Sequence, residues 1–163
     1  MPESVLSFIG LGSNLDEPAE QVRSALVQLQ ALPRCRLVSH SNLYQSKPMG
    51  PADQPDYINA VAALETSLES FELLAELQAI ETEHGRVRKE CWGARTLDLD
   101  VLIYDELVID TPQLTIPHPG LPQRAFVLYP LQELVAADFI VPGMGKLRDL
   151  LDECPFEGLS IYD

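Results

Sequence analysis

The chain has 163 residues, 46% of them hydrophobic and 22% charged, with a formal net charge of −14. That composition describes one globular domain, expected to span residues 1–163, and the strong negative charge speaks against a general nucleic-acid binder. No stretch approaches the roughly 18 apolar residues that a membrane helix needs. Cys35, Cys91 and Cys154 are far apart and form no C-x-x-C, so neither a disulfide framework nor a zinc site is indicated. The N-terminal MPESV lacks a basic region and an apolar run, and cytoplasmic residence is the expectation.

Ser4 to Leu11 is apolar and reads as a central strand that ends in the turn Gly12-Ser13-Asn14. Glu17 to Leu32 reads as a helix, with Pro18 suited to its first turn and Val22, Leu26 and Leu29 on its buried face. Pro33 stops it. Arg36 to Ser46 is a second strand, followed by a loop rich in breakers through Pro55. Tyr57 to Leu68 alternates, with Ile58, Ala60, Ala62 and Leu64 on one face and Tyr57, Asn59 and Val61 on the other. Ser70 is placed to cap a second helix whose core face is Leu73, Leu74, Leu77 and Ile80, and Gly85 ends it. Glu81, in the last turn, is expected to point toward the loop that follows.

The most informative stretch is Gly85 to Tyr104, GRVRKECWGARTLDLDVLIY. Its second half alternates as a strand. Leu97, Leu99, Val101 and Ile103 are expected on one face, and Asp98, Asp100, Leu102 and Tyr104 on the other. Two carboxylates side by side repel unless a cation lies between them. Hard cations such as Mg²⁺ take one or two carboxylates together with substrate phosphates. Four of the chain's 11 Lys and Arg residues, Arg86, Arg88, Lys89 and Arg95, lie just upstream. D-x-D alone is commonly a solvated polar edge. Beside that basic cluster it has the parts of a phosphoryl-transfer site.

After this strand come a short hairpin to Ile109, an irregular proline-rich segment from Thr111 to Arg124 holding His118, a helix from Ala125 to Val135 interrupted at Pro130, and a last helix from Gly145 to Leu151. The order strand, helix, strand, strand, helix, strand predicts an α+β fold of the ferredoxin-like βαββαβ type, an antiparallel sheet with helices packed on it and C-terminal additions.

Five stretches, IGLGSNL, GPADQPDYINAV, GRVRK, WGARTLDLDVL and PHPGLPQRAFVLYPL, in this order, resemble the 6-hydroxymethyl-7,8-dihydropterin pyrophosphokinases over nearly the whole chain. The resemblance implies a Mg²⁺-dependent folate-biosynthesis enzyme that moves pyrophosphate from ATP to the hydroxymethyl group of a reduced pterin and releases AMP. It implies Asp98 and Asp100 as ligands of two Mg²⁺ ions, and Arg86, Arg88 and Arg95 as catalytic arginines. Leu74, Gln78, Glu81, Lys89, Val101, Thr115, His118 and Arg124 fall on the nucleotide side. Ser46, Lys47, Met49, Tyr57, Asn59, Trp92 and Phe126 fall on the pterin side. Flat heterocycles favour aromatic faces and fixed amides, which Trp92, Phe126 and Asn59 supply. A monomer with ATP and a pterin as partners, and neither nucleic acid nor membrane, is expected.

The chain departs from the family pattern at Lys47, Cys91, Gln113 and Pro119, positions that bear on loop closure and nucleotide affinity. The loops from Lys47 to Pro55 and from Arg86 to Trp92 are expected to close over the substrates. Two other readings compete. A nucleotidyltransferase would place Gly12-Ser13 shortly before D-x-D, and here the gap is far too long. A ferredoxin-like ligand- or RNA-binding module would have no need of paired carboxylates beside arginines.

Overall fold

The computed structural model describes residues 4–15, 17–47, 56–84, 96–156 and 158–162. The elements run β1 (Val5–Ser13), α1 (Pro18–Gln30), β2 (Cys35–His40), β3 (Tyr44–Ser46), β4 (Tyr57–Thr66), α2 (Ser70–Glu83) and β5 (Asp98–Tyr104). Then come the hairpin β6 (Ile109–Asp110) and β7 (Thr115–Ile116), α3 (Ala125–Gln132), the hairpin β8 (Ile140–Val141) and β9 (Gly145–Lys146), α4 (Leu147–Asp152) and β10 (Leu159–Ile161).

The main sheet has the order β10-β3-β4-β1-β5, with β2 also on β4, and every pair in it is antiparallel. β1 lies between β4 and β5 and does not stop at Leu11. Gly12 pairs with Asn59 on one side and with Asp98 on the other. Pairing on both flanks thus overrides the turn preference of Gly-Ser-Asn. The second predicted strand is two. Between β2 and β3 the Ser41 hydroxyl accepts the Val61 N–H at 2.9 Å, and the strand re-enters the sheet at Tyr44.

One face of the sheet is closed by α1 and α2. Val22, Ala25 and Leu29 from the first, and Leu73, Leu77 and Ile80 from the second, pack on Ile9, Leu11, Ala60, Ala62 and Leu64. α2 begins one residue earlier than Ser70 suggests. The Glu69 side chain and Glu72 form a reciprocal capping box, with Glu72 accepting the Glu69 N–H at 2.9 Å. The other face is covered in part. Val127, Leu128 and Leu131 of α3 and Leu147 of α4 pack on Phe8, Val61, Ala63, Leu102 and Ile103.

The alternation of β5 holds for Leu97, Leu99 and Val101 and then breaks. Phe8 pairs with Ile103 while Ile9 pairs with Val101, so Leu102 is an extra residue, a β-bulge. Beyond the bulge the faces exchange. Leu102 and Ile103 both enter the α3-side core, and Tyr104 turns to the α1–α2 side, where its hydroxyl donates to the Leu68 carbonyl. The last helix starts at Leu147, because Gly145 and Lys146 form a strand with β8. β10, which sequence periodicity did not indicate, pairs with β3 from Leu159↔Ser46 to Ile161↔Tyr44. No helix among the described residues is long and apolar enough to cross a membrane.

Candidate active site

The β1–β5 register places Asp98 and Asp100 opposite Gly12 and Gly10, on the α3-side face. Two residues of strand set them about 6.6 Å apart along the chain. Both are half-buried. β5 is the edge of the sheet, and beyond it lies a cleft of about 260 Å³. Leu74, Gln78 and Glu81 from α2, Asp98, Asp100 and Val101 from β5, and Thr115 and His118 from the β7 region line it together. Gln113 and Pro119, two of the departures, also line it, as do Leu99, Pro112 and Leu114, which sequence reasoning did not single out.

Local chemistry explains how distant segments meet there. Glu81 is buried, and its carboxylate accepts the Leu99 N–H at 2.8 Å, tying the end of α2 to the open edge of β5. It is therefore anchored on the strand rather than directed only at the loop. The carbonyl of the bulge residue Leu102 accepts the His118 N–H at 2.9 Å, which brings the proline-rich segment alongside Asp100. His118 Nδ1 accepts the Gly120 N–H at 3.0 Å, so in the neutral ring the proton sits on Nε2. Burial pushes the imidazole below its ordinary range, and the Arg124 guanidinium pushes the same way, against Asp98. Nε2 lies 4.0 Å from Asp100 Oδ2, too far for a hydrogen bond. Its proton is open to another acceptor.

Arg124 is not in the cleft wall. It stands at the start of α3, packed on Gly120 and 5.7 Å above the Phe126 ring. Phe126 is half-buried against the α3-side core. Ser46, Tyr57 and Asn59 lie on the same sheet face as the two aspartates. The Ser46 hydroxyl donates to Asn59 Oδ1 at 2.6 Å, which fixes the amide and leaves its NH₂ as the free donor end. Lys47 is exposed at the end of β3, beside Gly158. Arg86, Arg88, Lys89, Arg95, Trp92, Met49 and Cys91, with most of both expected closing loops, lie outside the described residues.

Cross-strand pairing aligns Tyr44, Asn59, Gly12 and Asp98 in one row. Asn59 and Asp98 are thus two strand spacings apart, about 10 Å, with only Gly12 between them. A Cβ on Gly12 would meet Asn59 Nδ2 at 3.0 Å. Sequence reasoning does not single out Gly12. The signal was present in the alternation Phe8-Gly10-Gly12, which puts two glycines on the face opposite Ile9 and Leu11.

An α+β sheet with paired carboxylates at one edge, beside a cleft, has parts that a small phosphoryl-transfer enzyme uses. The family profile of 7,8-dihydro-6-hydroxymethylpterin-pyrophosphokinase (HPPK) matches residues 8–136, and the chain belongs to that family. A 2-amino-4-hydroxy-6-hydroxymethyldihydropteridine pyrophosphokinase of Pseudomonas aeruginosa is 53% identical over 94% of both chains. The enzyme of the same name from Haemophilus influenzae is 48% identical over 91% of this chain and 92% of its own. Among solved structures, a Plasmodium falciparum HPPK-DHPS chain superposes with a TM-score of 0.72 at 14% identity. That match covers 94% of this chain and 46% of the longer one, and it supports the fold alone.

Proposed function

We propose that the chain transfers the pyrophosphoryl group of ATP to the hydroxymethyl oxygen of 6-hydroxymethyl-7,8-dihydropterin in folate biosynthesis. The bond formed joins that oxygen to the β-phosphorus. The bond broken is the one between the β-phosphorus and the bridging oxygen that leaves with AMP, and the hydroxyl proton is released. The observation that carries this reading is the conjunction of family membership with a cleft at the β5 edge, lined by Leu74, Gln78, Glu81, Val101, Thr115 and His118, beside two aspartates that share the sheet face of Asn59.

Asp98 and Asp100 fit a hard divalent cation. They are adjacent carboxylates on one face, and no third His, Cys, Asp or Glu joins them in a metal-binding group among the described residues. Such a set suits Mg²⁺, which takes one or two carboxylates and completes its shell with phosphate and water. When bound, Mg²⁺ neutralises phosphate charge and makes a hydroxyl proton easier to lose. Two ions are expected. An acidic cleft of Glu81, Asp98 and Asp100 repels a polyphosphate without them.

The chain's own groups do the positioning. Leu74 and Val101 offer apolar surface to a nucleotide base, and Gln78 and Thr115 offer hydrogen bonds. His118 presents its Nε2–H toward phosphate oxygens, and Arg124, six residues on, adds positive charge. Arg86, Arg88, Lys89 and Arg95 are read as the cations that spread charge developing on the transferred group. The Asn59 amide, held by Ser46, binds the polar edge of the pterin. Tyr57, Trp92 and Phe126 flank its faces, and Met49 and Lys47 bound its edge.

The finer fold reading is ferredoxin-like. With β2 and β3 counted as one strand, the order strand 2–β4–β1–β5, antiparallel throughout and crossed on one face by α1 and α2, supports it. A single catalytic domain, a monomer and residence in the cytoplasm belong to the same proposal, and light scattering on the purified protein tests the monomer. The direct test is product analysis with ATP, Mg²⁺ and the reduced pterin. AMP in step with pterin consumption is the expected result. Pyrophosphate would mean nucleotidyl transfer, and no product would leave only binding.

A further inference from the structure

The pterin side has two walls from separate parts of the chain. One is the strand wall, β3 and β4, with Ser46, Tyr57 and Asn59. The other is α3, with Phe126 near its start. Nothing covalent fixes one against the other across the intervening sequence. At the far end of α3, however, Glu133 reaches back to the strand wall. Its carboxylate accepts the Tyr44 hydroxyl, and its other oxygen accepts the Asn42 N–H at 2.9 Å.

Several observations mark this as a built contact. Glu133 is the C-cap of α3, where a carboxylate works against the helix dipole and would ordinarily be disfavoured. Two donors from one strand segment compensate it. Tyr44 is buried, and its Cα partner across the ladder is Asn59. Its neighbour on the other side is Ile161 of β10, so it is held between two strands. Burial and the Glu133 hydrogen bond both push the phenol well above its ordinary range, which keeps the donor proton in place. Glu133 stands seven residues after Phe126, two helical turns, and therefore on the same side of the helix.

We propose that the Tyr44–Glu133 pair is a positioning clamp that sets the distance between the Asn59 strand wall and the Phe126 helix, and so tunes the pterin pocket without touching the substrate. The inference rests on the pterin-side reading given above. Loosening the pair lets α3 shift at its C-terminal end and tilts Phe126 away from Asn59. Ligands bound in the cleft between α2 and β5 lie on the opposite side of β1 and are unaffected.

Calorimetric titration of the full-length protein with 6-hydroxymethyl-7,8-dihydropterin, in the presence of Mg²⁺ and a non-hydrolysable ATP analogue, tests it. Tyr44→Phe removes one hydroxyl and leaves the ring packed. It is expected to weaken pterin binding about five- to tenfold while the analogue's affinity stays within about twofold. Glu133→Ala should do the same, Glu133→Gln should recover most of the loss, and the double variant Tyr44→Phe/Glu133→Ala should be no worse than either single change. Asn59→Ala is the control for the underlying reading and should abolish most pterin affinity. If Tyr44→Phe lowers thermal stability but binds pterin like the parent while Asn59→Ala fails to bind, the pair is structural only and the clamp is wrong. If losses in the two single variants add, the residues act separately and the clamp is wrong. If Asn59→Ala also binds normally, the pterin-side reading falls and takes the clamp with it.

Discussion

The two faces of the main sheet are built from the same strands by opposite rules. Toward α1 and α2 the inward strand positions are aliphatic or small apart from Tyr104 at the end of β5, and Ile9, Leu29, Leu64, Leu73 and Leu77 are fully buried. Toward α3 the same strands carry Phe8, Val61 and Ala63 under the helix, and then Gly12, Asn59, Asp98 and Asp100 where its cover ends. β1 shows the contrast within four residues, Ile9 and Leu11 against Gly10 and Gly12. The first face contributes folding free energy along its whole length; the second does so only under α3 and α4, and beyond their cover it keeps polar groups aimed at open space. Changes on the first face should therefore act on stability, and changes at the open end of the second on activity.

The largest expected effect is on the second face. Asp98→Asn or Asp100→Asn should lower kcat by about 100-fold or more, the scale of losing one preorganised electrostatic contact, with little change in melting temperature. Steady-state assays across a Mg²⁺ series and a thermal melt on the same preparations check it. Near-parental turnover of both variants at saturating Mg²⁺ would remove the cation assignment. Next is Leu77→Ala on the sealed face, which should cost about 2–5 kcal/mol of stability as transfer and cavity terms combine. Its kcat and KM below the melting transition should stay within about twofold. A urea titration alongside kinetics separates the two.

This division also explains what could be read in the sequence. The sealed face was legible because 3.6-residue and two-residue periods repeat there without interruption, as in Val22-Leu26-Leu29 and Ile58-Ala60-Ala62-Leu64. The aspartate pair was legible from the same alternation. The exchange of Ile103 and Tyr104 was not, because the bulge at Leu102 is set by how β5 meets β1 at Ile9, a long-range fit that no local period encodes. β10 was invisible for a similar reason: three residues gain a strand conformation only from the waiting edge of β3. Gly12 reads as a turn in the sequence because local preference is the only information at that position, whereas pairing on both flanks decides it. His118 is a site residue in the sequence only through family resemblance. What holds it beside Asp100 is a backbone hydrogen bond to the bulge, which resemblance does not reveal.

A smaller effect tests the open floor between the two halves of the site. Gly12→Ala places a methyl 3.0 Å from Asn59 Nδ2, tighter than ordinary contact, and the amide must move. Because Ser46 already holds the other end of that amide, movement breaks an alignment rather than finding a new one. The expected result is a loss of about tenfold in pterin affinity, roughly 1.4 kcal/mol, with the ATP analogue bound as before. Equal losses for both ligands would mean that β1 itself had shifted.

The smallest effect is the sharpest control, because it concerns charge on the functional face that has no proposed function. Glu65 lies on β4 in the same alternating set as Asn59 and Val61, and Arg36 pairs with it from β2. The two side chains meet at 3.4 Å but are 67% and 42% exposed, at the end of the sheet away from the cleft. Water screens such a pair, and ordering two long side chains offsets most of its attraction. Arg36→Ala should therefore change stability by no more than about 0.5 kcal/mol and leave kcat and both affinities where they were. What separates Asp98 and Asp100 from this pair is not polarity, since both stand on one face of one sheet. It is position: the aspartates sit at a cleft walled by α2 and the His118 segment, while Arg36 and Glu65 face bulk solvent. A substantial kinetic effect of Arg36→Ala would show that the functional surface extends along β4 well beyond the row through Gly12.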